Sequence, residues 1–516
     1  MVLVLALAVL PLGVMLVQSF VTNGAIGLSN YTDTLGSLRV WTLILNSLLL
    51  AGMTTLFAGV IGVALAIGWV KSAVPFRGAI VSIFCLPLLF PPYVMANGWF
   101  QVFGRQGLVS TWFGERIGAT TSDLLFGLPG GVLVLSTAFL PVVTLLSIAS
   151  IRRVNPSLED AARLTCNWGQ VLMKITLPLA RPGILLSLAL TFLLAFGELS
   201  APSFLRLNVF PLESFTQFSA FYNAAAATAA ALPFAVGAFL LLIAVRKWTG
   251  SGDYHFRWTH LPSSQISLSG FEPWIAAVTL TIATVLVILP CAALVNRGRT
   301  INAMTVAWET AADSMAWSLG YGAAAATAIS VLGFFLGYAS QRRSIRATGL
   351  ISLVTLMMFA IPGTLIGIGL VITWNRPSLA WLYAGPAILV TGLVTQYVAI
   401  GERGVASMMS QLSPSLEEAA EIAGASWPRR VWMILLPLLR PSLLAIWMLS
   451  FIMCLRDTSL ALLLSSPGRD PLTARTLTLM ANGSPELISA LCLFSIALPV
   501  VPALIGFAAY RIGDSR

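Results

Sequence analysis

Pro414-Ser415-Leu416-Glu417-Glu418-Ala419-Ala420 is the stretch that decides the fold, because it occurs twice. The other copy is Pro156-Ser157-Leu158-Glu159-Asp160-Ala161-Ala162. Each copy is a polar interruption between apolar runs. Each runs on to a Leu-Pro step, Leu436-Pro437 in one and Leu177-Pro178 in the other. The offset between copies is 258 at the start and 259 at the end. The likeness extends outward: Asn46-Ser47-Leu48 through Gly62 pairs with Trp317-Ser318-Leu319 through Gly333 at an offset of 271, and Pro91 pairs with Pro362 at the same offset. Self-similarity at this spacing makes the chain two copies of one unit.

The runs flanking the inserts are apolar. Twelve are found, near 2–20, 41–70, 79–101, 128–150, 180–204 and 228–245, then near 273–295, 316–339, 348–373, 385–401, 440–464 and 486–510. A membrane-spanning helix needs about 20 apolar residues. Of the 516 residues, 58% are hydrophobic and 9% are charged, and the mean hydropathy is +0.90. Soluble domains carry roughly a quarter charged residues, so a cytosolic enzyme and a disordered chain are excluded. A net charge of +10 drawn from so few groups cannot build a phosphate-binding surface, which excludes a nucleic-acid partner. Basic residues in such a chain instead report topology. With both termini cytoplasmic, 19 of the 29 Lys and Arg fall inside, nine fall outside and Arg456 falls in a span. The pairs Arg152-Arg153, Arg246-Lys247 and Arg342-Arg343 each close a span.

The expected architecture is an all-α, multi-pass protein of the cell (inner) membrane surrounded by lipid, with about twelve transmembrane helices in two repeats. The first repeat spans 1–245, with its insert near 155–178. A polar linker follows at 246–272, and the second repeat spans 273–516, with its insert near 413–437. Six spans is an even number, so both repeats enter the membrane in the same direction, as parallel repeats about an axis along the membrane normal. Met1 to Phe20 has no preceding Lys or Arg and no clear cleavage site. It reads as an uncleaved first span, and its missing flank suggests a misassigned or trimmed start.

Each insert lies on the cytoplasmic side, between the fourth and fifth spans of its repeat. Ser415 with Glu418 is expected to form a capping box, and Ser157 with Asp160 a similar one. Acidic residues in the first turn suit the positive end of a helix, and the alanine pair leaves room for close approach by another surface. Two short helices joined by a turn are expected to lie flat beneath the membrane.

Glu417-Glu418-Ala419-Ala420, Gly424 and Leu436-Pro437 resemble the EAA loop of binding-protein-dependent ABC importers. Two copies in one chain resemble the fused permeases of the ferric-iron type. The resemblance implies a type I importer-like fold. It implies that Glu159, Asp160, Ala161, Ala162, Glu417, Glu418, Ala419, Ala420 and Gly424 couple the chain to two cytoplasmic ABC ATPase subunits. It further implies an extracytoplasmic solute-binding protein, and ATP and Mg bound only by the partner ATPases. Ferric iron is the first substrate it suggests, with thiamine, phosphonate and polyamine carried by related permeases. The first copy departs from the pattern. It is one residue shorter, and Thr165-Cys166-Asn167 stands where the second has Ala423-Gly424-Ala425-Ser426. Asn167 is expected to supply the left-handed turn residue in place of the glycine.

No GxxxxGK[ST] phosphate loop, HExxH or GxSxG is present in the sequence, so no enzyme activity and no ATPase site of its own are expected. Cys85, Cys166, Cys291, Cys454 and Cys492 show no paired spacing, and His255 with His260 reads as a hydrated loop, so no metal site is expected. Two carboxylates fall in equivalent spans: Glu198 and Asp457 are related by the 259 offset, and Arg456 adjoins the second. An ionisable group within a span is either a pathway group, suited to a cationic substrate, or half of an interhelical salt bridge. The resemblance favours a translocation-pathway role for Glu198, Arg456 and Asp457. Pro91-Pro92 and Pro362 break the third spans, as hinges or as packing kinks. An alternative to the importer is a twelve-helix secondary transporter driven by an ion gradient. It explains the span count but not the duplicated loops, and Lys71 to Arg77 lacks the basic Gly/Asp/Arg loop expected of it.

Overall fold

A computed structural model describes residues 10–22, 25–249, 272–342 and 346–514, which are almost entirely helical. In the first half the principal helices are α1 (Leu10–Ser19), α2 (Leu38–Lys71), α3 (Pro92–Phe103), α4 (Leu128–Ile151), α5 (Pro156–Arg163), α6 (Leu177–Phe196) and α7 (Ala224–Thr249). In the second they are α8 (Leu289–Gly298), α9 (Ile301–Arg342), α10 (Gly363–Trp374), α11 (Ala387–Met409), α12 (Ser415–Ile422), α13 (Leu436–Arg456) and α14 (Pro485–Asp514). The only strands among the described residues form a minimal antiparallel hairpin, Val21–Thr22 with Ala25–Ile26.

Each of the twelve apolar runs has a helical counterpart, but not all are simple spans. Among the described residues, seven helices are long and apolar enough to cross a membrane. Three more runs are helix pairs bent by 103°, 107° and 76°. Leu10–Ser19 and Ala225–Leu241 are shorter. The two sharpest bends fall at Pro91-Pro92 and Pro362, where proline removes a backbone donor and fixes φ. The runs at 180–204 and 440–464 are shorter as helices than expected, because α6 ends at Phe196 and α13 at Arg456. Of the expected linker, residues 246–249 belong to α7, and 250–271, with His255 and His260, lie outside the described residues. So do the first nine residues of the first run.

The repeat seen in the sequence is a repeat of packing. In the first half α2 lies along α4, and in the second α9 lies along α11. The closest approach uses an equivalent glycine. A Cβ on Gly62 would stand 3.0 Å from Val143, and one on Gly333 would stand 2.4 Å from the Gly401 backbone. Small residues let helix backbones approach where lipid gives no hydrophobic drive to associate.

The halves also interlock. Pro290, on α8, packs on Gly98 of α3, and Pro11, on α1, packs on Gly369 of α10. Gly98 and Gly369 are related by the 271 offset. Thus the opening span of each half lies against the broken third span of the other. Polar contacts add a further seam between α3 and α14: Tyr93 Oη lies 3.1 Å from Ser495 Oγ, and Asn97 Nδ2 donates to Cys492 Sγ at 3.3 Å.

Gly333→Ala is expected to destabilise the protein by about 1–3 kcal/mol, because backbone must move, while Gly62→Ala costs less because only a side chain must give. Thermal unfolding of both variants in detergent measures the difference, and equal losses would contradict this packing.

Candidate functional site

Two regions carry the candidate residues: the paired inserts and the ends of α6 and α13. The first insert is capped two residues earlier than expected, and the second helix starts at Ser415 behind Pro414. Asn155 accepts from Ser157 N at 3.1 Å and from Ser157 Oγ at 2.9 Å. Ser413, at the equivalent position, accepts from Ser415 N at 3.3 Å. The expected capping boxes of Ser157 and Ser415 therefore do not form. Proline suits the first helical turn and holds the residue before it in an extended conformation, so that residue faces the free amides.

The first acidic residue of each motif turns inward. Glu159 is fully buried, its Oε2 2.5 Å from Lys71 Nζ and its Oε1 accepting from Thr176 Oγ1 at 2.5 Å. Glu417 is buried likewise, its Oε1 2.6 Å from Arg342 Nε and its Oε2 accepting from the Tyr338 hydroxyl at 2.9 Å. Arg342 also donates to the Leu412 carbonyl at 3.1 Å. Lys71 and Arg342 are the last residues of α2 and α9 and are related by the 271 offset. Each insert is thus riveted to its own half by the same ion pair. A buried charge requires such a partner, and losing one member strands the other.

What faces outward is the second acidic residue and the small ones. Asp160, Ala161, Glu418 and Ala419 are exposed, and Ala162 and Ala420 half-buried. Leu164 and Ile422, equivalent residues at the helix ends, are 86% and 88% exposed. Each insert therefore presents the carboxylate after the buried one, a small-residue patch and two large apolar side chains, Leu158 and Leu164 in the first and Leu416 and Ile422 in the second, a face fit to be covered.

The turns differ between copies. Gly424 has φ +80°, and Ala425 N donates to the Ala420 carbonyl at 2.9 Å, closing the helix through a left-handed residue. Asn167 does not take that conformation, contrary to expectation: its φ is −76° and its ψ 165°. It caps the next short helix instead, in a capping box with Gln170. With one residue fewer, the chain has no position for a left-handed residue and passes from helix end to helix cap. Arg163 stacks over Trp168 at 4.3 Å in this copy, and Arg430 pairs with Glu421 at 2.5 Å in the other. Both copies then pass through a π-helical turn, Leu172–Thr176 and Val431–Leu435, just before the Leu-Pro step.

Glu198 and Asp457 lie just past the ends of α6 and α13 rather than inside helices. Each holds the amide of a following short helix: Glu198 Oε1 accepts from Ser200 N at 2.9 Å, and Asp457 Oδ1 from Leu460 N at 2.8 Å. Asp457 Oδ2 also accepts from the Tyr397 hydroxyl at 2.7 Å. Asp457 borders a small cleft with Tyr321, Cys454 and Thr473. Arg456 NH1 donates across the halves to the Leu88 carbonyl at 3.2 Å, and its guanidinium lies 5.9 Å from the Phe139 ring centre. Beside Glu198, a Cβ on Gly197 would stand 3.5 Å from Pro362 of the other half. The three residues singled out in the sequence therefore sit together where the halves meet.

Sequence reading missed Lys71, Arg342, Tyr338 and Tyr397 as members of these sites. The two cations carried a signal, since both end matching spans at one offset. It also passed over Glu402, which is 2% exposed and accepts from Thr355 Oγ1 at 3.3 Å.

Residues 58–248 and 329–516 each match the profile of a family described as the binding-protein-dependent transport system inner membrane component. The chain is 26% identical over 514 residues to a ferric transport system permease protein of Actinobacillus pleuropneumoniae, covering 93% of this chain and 73% of that one. It is 26% identical over 449 residues to a putative ferric transport system permease protein of Haemophilus influenzae, covering 81% and 69%. A molybdenum transport system permease protein of Escherichia coli is 30% identical over 184 residues, 36% of this chain and 79% of that one.

The Lys71–Glu159 pair is testable by a double-mutant cycle. Lys71→Met and Glu159→Leu are each expected to destabilise by about 3 kcal/mol, with the double variant recovering about 1–3 kcal/mol of the summed loss. Thermal melts in detergent read the coupling, and strict additivity would show that the pair does not hold the insert.

Proposed function

The chain belongs to the family of binding-protein-dependent transport system inner membrane components, with the family unit present twice, and from that premise we propose that it imports ferric iron. In this reading one polypeptide supplies both halves of the permease. Both termini lie in the cytoplasm, and an extracytoplasmic solute-binding protein delivers the cargo. Two cytoplasmic ATPase subunits, holding ATP and Mg, drive transport. Family membership removes the ground for a transporter driven by an ion gradient.

The observation that carries the coupling role is the pair of inserts, each anchored inward by a buried ion pair and each leaving its second carboxylate and its alanines exposed. A rigidly anchored helix transmits displacement, whereas a loose loop absorbs it. Asp160, Ala161, Ala162, Glu418, Ala419 and Ala420 are the surface an ATPase would cover. Glu159, Glu417 and Gly424 set the shape of that surface from behind. Closure of the ATPase pair would draw α5 and α12 together, and the ion pairs would pass the motion to α2 and α9.

The iron assignment is supported by the names of two relatives that each cover more than four fifths of the chain. It is also supported by the carboxylates Glu198 and Asp457 where the halves meet, since oxygen donors suit a hard cation. These two residues, with Arg456 between them, are proposed to line the translocation path.

Asp160→Lys with Glu418→Lys is expected to cut recovery of ATPase on the affinity-purified chain at least about tenfold from a parent ratio of two per chain, with Tm within 2 °C of parent because both sites are exposed. Undiminished ATPase recovery would refute the coupling surface. Glu198→Gln with Asp457→Asn is expected to lower uptake of radiolabelled iron by about tenfold or more while ATPase recovery stays at parent level; normal uptake would remove both residues from the path.

A further inference from the structure

Gly197 and Arg456 occupy equivalent places in the two halves, related by the 259 offset. Each lies at the end of its span and each meets the broken third span of the other half. A Cβ on Gly197 would stand 3.5 Å from Pro362, at the break before α10. Arg456 donates to the Leu88 carbonyl, at the break before α3. The crossing is therefore made twice, but with opposite chemistry. One crossing is a glycine packed on a proline. The other is a guanidinium bound to a carbonyl and lying over the Phe139 ring.

Charge is as unequal as shape. Both halves bring a carboxylate to this level, and only the second brings a cation. Arg456 adjoins Asp457 in the chain and reaches into the half that carries Glu198. Neither carboxylate depends on Arg456 to hold its backbone, because each already accepts from an amide of the next helix. The guanidinium is thus free of any part in building the local turns. Its contacts run to the other half.

We propose that Arg456 is a latch that holds the two halves shut at the level of Glu198 and Asp457. It ties the end of α13 to the helix break at Leu88 in the other half. Opening requires the guanidinium to leave the Leu88 carbonyl. Because this level holds one cation and two carboxylates, the closed seam retains an excess negative charge, which suits a cationic solute as the agent that meets it. That last step rests on the path reading given above, whereas the latch itself does not.

Cys454, two residues before Arg456 on α13, reports on whether this end of α13 is held, without any introduced label. It is 6% exposed and borders the same cleft as Asp457. The test is N-ethylmaleimide alkylation of the full chain in native membrane vesicles, quantified at Cys454 by peptide mass mapping. Arg456→Gln is expected to raise the initial rate about tenfold, the population shift produced by losing one charge-assisted hydrogen bond. Arg456→Lys, which keeps the charge but not the planar fork, should give a smaller rise. A parent-level rate in folded Arg456→Gln would overturn the latch. If Arg456→Gln is degraded in the cell, Phe139→Leu decides, because it leaves the guanidinium in place but removes the ring it lies over in the other half. Faster Cys454 alkylation in that variant supports the latch, and an unchanged rate overturns it. The path reading fails separately: normal iron uptake by Glu198→Gln with Asp457→Asn would remove the path and leave the alkylation result standing.

Discussion

A helix broken inside hydrocarbon leaves backbone polar groups that water cannot reach, and other parts of the protein must satisfy them. The rest of this molecule is arranged around that requirement. Proline breaks the third span of each half. In the first half the exposed carbonyl of Leu88 is met by Arg456 from the other half. In the second, the carbonyls of Phe359 and Ile361 are met by Gln396 of α11, at 3.3 and 3.0 Å. One break is thus closed within its own repeat and the other by its neighbour. The first-half break can be satisfied only while the two halves remain together, so the break and the seam between halves depend on one another.

The same economy governs the inserts. A short polar helix under a membrane has little apolar surface with which to fix itself. It is held here by burying one carboxylate against a cation at the end of the span below. Desolvating such a pair contributes little net stability, but it makes the position of the helix nearly all-or-none, because the separated charges are costly. That is the property needed in a part that must transmit force. The acidic residue at the start of each motif therefore serves the surface from behind, and the residue after it serves on the surface.

The two halves are equivalent in architecture and unequal in detail. Gly424 and its left-handed turn have no counterpart in the shorter first insert, where Asn167 caps the next helix. Gly197 faces Arg456 across the repeat. Tyr397, which holds Asp457, is matched at an offset of 258 by Phe139, which stacks under Arg456. A fused chain permits this divergence, since each copy mutates alone.

Amino-acid order by itself determined the class, the repeat and the place of each insert. Hydropathy, proline position and offset are properties of neighbouring residues, and they needed no knowledge of the folded chain. The helical counterparts of all twelve runs, and the breaks at Pro91-Pro92 and Pro362, follow from those local rules. Order along the chain was misleading where two local rules competed. Ser157 and Ser415 fitted a capping pattern, but proline moved the first cap back to Asn155 and itself took the cap position, Pro414, in the second. Tertiary structure alone decided which way each carboxylate points and what it meets. Glu159 and Asp160 are adjacent, equally charged residues. Only the position of Lys71, 88 residues earlier in the chain, makes the first buried and leaves the second free to meet a partner. Likewise, Arg456 meets Leu88 across 368 residues. No local rule carries that information, because it depends on how the two halves pack, and that is settled only when every buried charge and broken backbone has found its partner.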